Sequence, residues 1–542
     1  MFDGFRRHLV ASSPTAATRL GDHSRDADLD DWHPQAVDSR LAELGSLRRR
    51  LDQAADAAPS LEAHADTRGD RTLLDDTLAK MILELEGLRL PETDATFYLD
   101  IATTGVHELL RRDDLPAQAR QEAARRRAAA VPRLLDQARV NLTAVPAPHR
   151  EVTLLRTPGA AALFRELLPG FAPSAGDEGE AAALACERFA IWLGSGADTA
   201  AVPDWRLGAG RWDDALRLVL GSRMDAEEVW QRGWDRLDEL HAEAEELAGR
   251  VLDGQGTAGD GRARVRAALA RVAADRPTRE RLVRDAAGAL EGIKAFLHDG
   301  KLFALPDPDT LRVEEVPAFQ QGVVVAYFMP APPLEPDVAH TYYLSPVPAE
   351  WDDEQATSFL REYNRHALAS VGIHEAYPGH YAQFAAAQRH PRLLRRTLWN
   401  AACAEGWAVY AERQVVRAGF GGPALALTSV KMDMRAVANA LLDQGLHVRG
   451  WDDDTAMELM TERAYQEPAE ARGKLVRAKV TAGQLSSYFV GGEEMGDLRS
   501  DVAQARGAAF DPRTFHDGVL AQAIPPVAVL RRALLDEHEE TT

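Results

Sequence analysis

The segment H-E-A-Y-P-G-H at residues 374–380 carries the strongest structural signal in this chain of 542 residues. On an unbroken helix, two histidines six positions apart are turned by about 240° and face different sides. Pro378 cannot donate a hydrogen bond to the carbonyl group of His374, and Gly379 tolerates unusual backbone angles. We therefore predict that the helix is interrupted here and that the interruption brings His380 to the same side as His374.

An adjacent His-Glu pair suits a hydrolytic metal site. His374 can bind zinc through its imidazole, while the carboxylate of Glu375 stays unligated and takes a proton from water as a general base. His380 would supply a second ligand. The usual zincin spacing, two histidines four positions apart on one helical face, is not satisfied. Metal binding by both histidines therefore depends on the predicted break.

Glu405 is the best candidate for the third protein ligand that a catalytic zinc site needs. It stands in the segment A-E-G-W-A-V-Y-A-E at residues 404–412, which is typical of the start of a helix. The alternative role is that of a carboxylate stabilised by the dipole at a helix N-terminus. Glu412 shares the helical face of Glu405 and could support the metal ligands. We predict one zinc ion held by His374, His380 and Glu405.

Five segments in order resemble the bacterial family called domain of unknown function 885. They are H-E-A-Y-P-G-H-Y-A-Q at 374–383, E-G-W-A-V-Y-A-E at 405–412, L-D-Q-G-L-H at 442–447, A-G-Q-L-S-S-Y at 482–488 and F-D-P-R-T-F-H-D at 510–517. The likeness begins near residue 200 and is dense from residue 340 onward. This family is grouped with the zincin-like metallopeptidases, and a glutamate ligand on the following helix is typical of the gluzincin branch.

The resemblance implies a mainly α, multi-helix zincin-like metallopeptidase fold with a deep cleft. Two positions depart from the family pattern. Ala482 stands where the family usually has proline, which could relax the turn before Tyr488. Tyr381 stands where many members have a second histidine, so a possible extra ligand or proton donor is missing.

Two further side chains are candidates for stabilising an oxyanion. Tyr488 can donate its hydroxyl hydrogen opposite the metal. His447 can act as a similar donor or as a partner that orients Glu405. A core tyrosine and a structural histidine are the competing interpretations for the two positions.

Periodicity predicts helices over most of the chain and one small sheet. Leu73, Leu74 and Leu78 recur at helical spacing, and helices are predicted over 117–142 and 225–252. A strand pair at 323–329 and 340–344 is β-branched and aromatic, which places a small sheet next to the motif helix. We predict an N-terminal helical region at 1–200 and a metal-site region at 201–542, together enclosing one cleft.

Composition excludes several classes of partner and site. The net charge of -21, from 84 acidic and 63 basic side chains, repels nucleic acid and anionic lipid, so neither nucleic acid nor membrane is predicted as a partner. Cys186 and Cys403 leave no thiolate cluster, so histidines and carboxylates must hold any metal. Since no apolar run of signal-peptide length follows the N-terminus, we expect a cytoplasmic protein. Its oligomeric state is left open.

These residues predict a zinc-dependent hydrolase, specifically a peptidase that acts on short peptides. Arg435, Arg449 and Arg477 are available to hold a substrate carboxylate, although surface ion pairs are the competing use. One alternative is an amidase or esterase acting on a non-peptide substrate, because the same water chemistry cleaves both. The other is a zincin-fold protein that binds a peptide or partner without catalysis. The position of cleavage within a peptide is left open.

Overall fold

The structure is a computed structural model that describes residues 1–57, 65–112, 115–195, 204–253, 260–316, 325–481 and 483–539. It is mainly helical with one small three-stranded sheet, as predicted. The described chain divides into two compact units. The first contains residues 1–211 and 332–338, and the second contains residues 212–331 and 339–542.

The first unit is built from ten helices among the described residues. They are α1 (Phe2–Ser12), α2 (Pro14–Leu20), α3 (Pro34–Ala57), α4 (Ala65–Ile82), α5 (Leu90–Thr93), α6 (Ala95–Arg111), α7 (Ala117–Asn141), α8 (Ala147–Ala162), α9 (Leu168–Phe171) and α10 (Gly176–Gly194). The helices predicted around Leu78 and over 117–142 are confirmed as α4 and α7.

The core of the first unit lies among α6, α7, α8 and α10. On α6, the buried residues Leu99, Ala102, Val106 and Leu109 recur three or four positions apart, so they form one apolar face. Arg127 on α7 is also fully buried; its guanidinium donates to the carbonyl oxygens of three residues and to one hydroxyl group. These bonds satisfy a charge that would otherwise be costly to bury.

The second unit holds α11 to α25. They are α11 (Gly208–Leu218), which begins in the first unit, α12 (Ala226–Val251), α13 (Gly261–Ala274), α14 (Leu282–Gly300), α15 (Asp353–Glu362), α16 (Arg365–Glu375), α17 (His380–Gln388), α18 (Leu393–Thr397), α19 (Ala401–Arg417), α20 (Gly422–His447), α21 (Asp453–Glu458), α22 (Pro468–Val480), α23 (Ser487–Arg506), α24 (Pro512–Ala521) and α25 (Val527–Glu539). The helix predicted over 225–252 is confirmed as α12, which Asp225 caps by accepting a hydrogen bond from Glu228 N at 2.8 Å.

The small sheet belongs to the second unit. Its strands run in the order β1 (Arg312–Glu315), β3 (Thr341–Leu344) and β2 (Ala326–Met329), with β3 parallel to β1 and antiparallel to β2. The predicted pair is confirmed in β2 and β3, while Val323 and Val324 lie outside the described residues. Sequence reasoning missed β1, because its four residues are all exposed and show no alternation of apolar and polar side chains.

The predicted division at residue 200 falls within 196–203, which the structure does not describe, and a shared cleft stays a prediction. Within the described residues, no helix combines the length and the apolar composition that crossing a membrane requires.

Candidate metal centre

The predicted interruption of the motif helix is confirmed. Helix α16 ends at Glu375, and α17 begins at His380. Between them the backbone turns tightly, with Gly379 N donating to the carbonyl oxygen of Ile373 at 3.0 Å. A Cβ atom on Gly379 would lie 1.9 Å from the carbonyl oxygen of His374, so a larger residue cannot occupy this position without moving the backbone. The break thus depends on the glycine that follows Pro378.

Helix α19 fixes this break from the other side. The indole nitrogen of the buried Trp407 donates to the carbonyl oxygen of Pro378 at 2.9 Å. Trp407 stands two residues after Glu405, so the same turn of α19 holds the broken segment and presents the carboxylate. The 374–380 segment and the 404–412 segment are therefore in direct contact in the structure.

Three side chains converge at this point. Glu405 Oε2 lies 3.3 Å from His374 Nε2 and 3.4 Å from His380 Nε2, and the three donor atoms all lie within 4.8 Å of one another. These separations exceed the roughly 2.7–2.9 Å of charge-assisted hydrogen bonds. Ligands about 2.0–2.1 Å from a tetrahedral zinc ion are about 3.3 Å apart. The spacing therefore fits zinc ligation better than direct hydrogen bonding.

Glu412 orients His374 within this site. His374 Nδ1 donates to Glu412 Oε1 at 2.7 Å, since an ionised carboxylate can only accept. Ser370, one turn earlier on α16, donates its hydroxyl hydrogen to Glu412 Oε2 at 2.7 Å. With Nδ1 bonded to Glu412, Nε2 is the ring nitrogen that faces Glu405 and would offer its lone pair to a metal ion. A carboxylate behind the ligating imidazole is the usual support for a metal-binding histidine.

The electrostatics of the site favour a cation. Burial acts to lower the pKa of His374, but the carboxylates of Glu405 and Glu412 raise that pKa well above its ordinary value. Burial acts to raise the pKa of Glu405, but His380 and His374 hold it far below its usual range. Both shifts have one cause: buried carboxylates surround the two imidazoles and stabilise positive charge there. A bound metal ion would supply that charge in place of a proton.

Glu375 remains outside the ligand set. Its Oε2 accepts a hydrogen bond from Phe328 N of β2 at 3.0 Å. The carboxylate is thereby held beside the convergence point by the backbone of the sheet. This bond leaves Glu375 Oε1 available for a proton.

Tyr488, in the first turn of α23, borders the same site. Its ring centroid lies 6.4 Å from that of His374. The charge of Glu405, followed by burial, raises the pKa of Tyr488, so its hydroxyl group stays protonated at neutral pH. Tyr488 is therefore a hydrogen-bond donor at the edge of the site.

A close helix crossing sets the place of Tyr488. Gly406 of α19 and Gly491 of α23 face each other, and a Cβ atom on Gly406 would lie 2.2 Å from the carbonyl carbon of Gly491. On the opposite side, a Cβ atom on Gly491 would lie 1.9 Å from the carbonyl oxygen of Ala402. The backbones of the two helices that carry Glu405 and Tyr488 are thus in direct contact.

The model of the bacterial protein family of unknown function DUF885 matches residues 14–534. The chain belongs to this family. No curated protein matches it. A solved structure from Shewanella oneidensis, provisionally described as a lipoprotein of unknown function, is 25% identical, with 98% of each chain covered and a TM-score of 0.85. A second, from Colwellia psychrerythraea and provisionally described as a lipoprotein, is 18% identical, with 99% of this chain and 97% of that chain covered and a TM-score of 0.80.

His447, in another DUF885 segment, has the surroundings of the structural histidine that is one of its two interpretations. Its Nε2 hydrogen-bonds with the carbonyl oxygen of Ala478 at 2.8 Å, and the side chain is buried. The hydrogen bond connects α20 to α22, an arrangement typical of a structural histidine. Its roles as oxyanion donor or partner of Glu405 stay predictions.

Of the two positions that depart from the DUF885 pattern, Tyr381 and Ala482, the structure describes only Tyr381. Tyr381 is fully buried; its hydroxyl group donates to Asp309 Oδ1 at 3.0 Å and accepts from Thr310 N at 2.8 Å. It therefore connects α17 to the segment before β1. Ala482 lies outside the described residues.

Sequence reasoning missed Ser370 and the amide group of Phe328 as parts of this site. Ser370 stands four residues before His374, so helical spacing alone could have placed it on the same face. The contribution of Phe328 comes from its backbone and therefore leaves no signal in the residue type.

Proposed function

We propose that this protein is a zinc-dependent hydrolase of the zincin-like, gluzincin type that cleaves short peptides. The observation that carries the proposal is the convergence of His374 Nε2, His380 Nε2 and Glu405 Oε2 within 4.8 Å of one another, with both separations from Glu405 close to that of tetrahedral ligands. The unligated carboxylate of Glu375 directly follows the first ligand in sequence, which supports hydrolysis over simple metal storage. We further propose that helices of the fold wall a narrow cleft that admits short peptides.

Each side chain has a distinct role in the proposed reaction. Zinc, when bound, would polarise the substrate carbonyl and lower the pKa of water toward about 7. Glu375 takes the proton of the attacking water and returns it to the leaving amine. Tyr488 donates its hydroxyl hydrogen to the oxygen that gains charge as the carbonyl is attacked. Glu412 keeps the His374 ring in the required tautomer and orientation.

The edge of the sheet supports an extended peptide as substrate. Ser345 N donates to the carbonyl oxygen of Val325 at 2.8 Å, which fixes the register of β2 against β3. In an antiparallel ladder, alternate residues turn their amide groups away from the partner strand. Phe328 is such a residue, and its amide group is directed to Glu375. A peptide pairing along this edge would place its backbone beside the proposed base and need little side-chain recognition.

The test combines metal analysis with peptide turnover. Wild type, Glu375→Gln and the exposed control Glu354→Gln should each bind about one zinc ion per chain. Wild type and Glu354→Gln should cleave members of a mixed peptide library, while Glu375→Gln should lose about 10²- to 10⁴-fold in rate because the general base is gone. Unchanged turnover in Glu375→Gln would refute its proposed role.

The two alternatives give different results in the same experiment. Zinc binding without peptide cleavage, but with hydrolysis of non-peptide amides or esters, would indicate the amidase or esterase. Absence of both zinc and turnover would indicate a binding protein without catalysis.

We propose a cytoplasmic location for this protein. The two solved relatives are provisionally described as lipoproteins, a class that a lipid anchor holds at a membrane. Fractionation of cells that express the full chain separates the two locations. Recovery in the membrane fraction would overturn the proposal.

A further inference from the structure

The three arginines that could hold a substrate carboxylate have different partners. Arg435 contacts the carboxylates of Glu362 and Glu470. Arg449 contacts the carboxylate of Glu227 at 2.6 Å. Both guanidinium groups are therefore already neutralised by residues of this chain.

Arg477 has no such neutralising partner. It lies in the last turn of α22 and is exposed. Its hydrogen-bond acceptor is the neutral side chain of Gln484, with Nη2 and Oε1 3.4 Å apart. Among the described residues, no carboxylate lies within ion-pair distance of its guanidinium group. Arg477 is thus the arginine of the three that can bind an incoming anion.

Arg477 is also next to the candidate metal centre. Its acceptor, Gln484, stands four residues before Tyr488, at the start of the turn that leads into α23. The charge of Arg477 also opposes the rise in the Tyr488 pKa that Glu405 causes. Tyr488 in turn lies beside His374. The guanidinium group, the tyrosine hydroxyl and the metal ligands therefore follow one another across the site.

The charges of the centre make this cation significant. Glu375, Glu405 and Glu412 would repel a substrate that carries a free carboxylate near the bond to be cleaved. An arginine offers two parallel N–H donors that match a carboxylate, which gives both attraction and a fixed orientation. Through its contact with Gln484, Arg477 is placed near the turn that carries Tyr488, the proposed contact of the substrate oxygen.

We propose that Arg477 binds the free C-terminal carboxylate of the peptide, so that the enzyme is a carboxypeptidase that cleaves close to the C-terminus. This inference rests on the proposed peptidase function. Bound in this way, the terminal carboxylate limits how far the chain can extend beyond the metal. Internal bonds of a long peptide then lie outside the reach of Glu375, and a peptide with a blocked C-terminus loses its main contact.

The experiment compares matched peptides with a free acid, a C-terminal amide or an N-terminal acetyl group. Wild type should cleave the free acid at least about 10²-fold more efficiently in kcat/KM than the amide, since the amide leaves Arg477 without its anionic partner. N-terminal acetylation should have little effect. Arg477→Gln should lose most of the preference for the free acid, chiefly through KM, and Arg477→Lys should retain part of it. Arg449→Gln is the control and should behave as wild type.

Binding provides a readout that does not need turnover. Calorimetry with the metal-free protein should show weaker binding of a dipeptide to Arg477→Gln than to wild type or Arg449→Gln. Equal cleavage of free acid and amide by wild type would overturn the inference while leaving the peptidase proposal intact. An equal loss on both peptides in Arg477→Gln would likewise overturn it, because Arg477 would then act on the reaction rather than on the carboxylate.

If wild type cleaves no peptide at all, the peptidase proposal itself fails. Calorimetry with the dipeptide and its amide then decides the role of Arg477 alone. Equal affinity of wild type for the two ligands would overturn carboxylate recognition.

Discussion

Two groups of charged side chains in the second unit contrast with each other. The ionic cluster, defined as Glu362, Lys431, Arg435 and Glu470, contains two cations and two carboxylates. Lys431 Nζ lies 3.0 Å from Glu362 Oε2, and Arg435 contacts both carboxylates. The candidate metal centre instead places three glutamates around two imidazoles, which would be neutral when they bind a metal.

This difference in charge balance distinguishes a structural group, in which cations and carboxylates pair, from a group whose carboxylates lack enough cations of the chain. In the ionic cluster each buried charge has a counter-charge supplied by the chain, so nothing further is required. In the candidate metal centre the carboxylates of Glu405 and Glu412 raise the pKa of His374, so the site favours positive charge on the imidazole or on a bound cation. A partly buried group of like charges is therefore the better indication of a ligand site than the number of ionic contacts.

The largest expected effect on stability comes from removing a charge from the ionic cluster. Arg435→Met keeps much of the side-chain volume but removes the cation that contacts the carboxylates of both Glu362 and Glu470. The free energy of unfolding should fall by about 3 kcal/mol, because an unpaired, largely buried charge is costly. Urea unfolding measures this change. Arg449→Met removes an exposed pair with Glu227 and should change stability by less than about 0.5 kcal/mol.

Zinc content should stay at one ion per chain in Arg435→Met. Loss of zinc together with stability would mean that the two groups are not independent, and the contrast drawn between them would fail.

The next-largest effect is expected from a substitution that weakens the candidate metal centre without removing a proposed ligand. Glu412→Gln keeps the shape of the side chain but removes the charge that holds the His374 ring. Zinc affinity should fall about 10- to 100-fold. Competition with a chromophoric chelator at fixed pH measures the change, and Glu354→Gln serves as the control. An affinity equal to that of wild type would show that Glu412 contributes packing only.

The smallest effect is a pH dependence next to the ionic cluster. Burial, followed by the charge of Arg435, lowers the pKa of Lys474 to about 7. Between pH 7 and the ordinary lysine pKa of about 10.4, the unfolded chain binds a proton at Lys474 that the folded chain does not. The free energy of unfolding should therefore rise with pH within this window, by about 1 kcal/mol between pH 7 and pH 8.

Urea unfolding at pH 7 and pH 9 tests this dependence by comparing wild type with Lys474→Met. The difference between the two proteins should grow in favour of wild type as the pH rises. A difference that stays constant would mean that Lys474 titrates normally in the folded protein.

The main residues of the site could be predicted because they depend on residue types that are close together in the sequence. Pro378 and Gly379 predict a broken helix from backbone geometry alone, and the structure confirms the break. The convergence of His374, His380 and Glu405 follows once the break is accepted, since α19 comes next in the chain after the short α18. Their binding of zinc remains a prediction.

Other features depend on contacts that sequence spacing does not encode. The amide group of Phe328 reaches Glu375 because of the register of β2, and no residue type in the sequence predicts that register. Strand β1 has no apolar alternation, and it pairs with β3 only because the chain brings Arg312–Glu315 alongside it. His447 shows the same limit, since its residue type and family motif do not reveal that its Nε2 is hydrogen-bonded with a backbone carbonyl.

The contact between Gly406 and Gly491 has a consequence for how rigidly the reaction centre is held. Side chains between helices can exchange rotamers and let the helix axes drift, but here two backbones meet with no side chain between them. The span from Glu405 to Tyr488 is consequently set by covalent geometry and hydrogen-bonded helix turns. Thermal motion that loosens the rest of the interface would carry both groups together, so the distance between the Glu405 carboxylate and the Tyr488 hydroxyl group would change little with temperature.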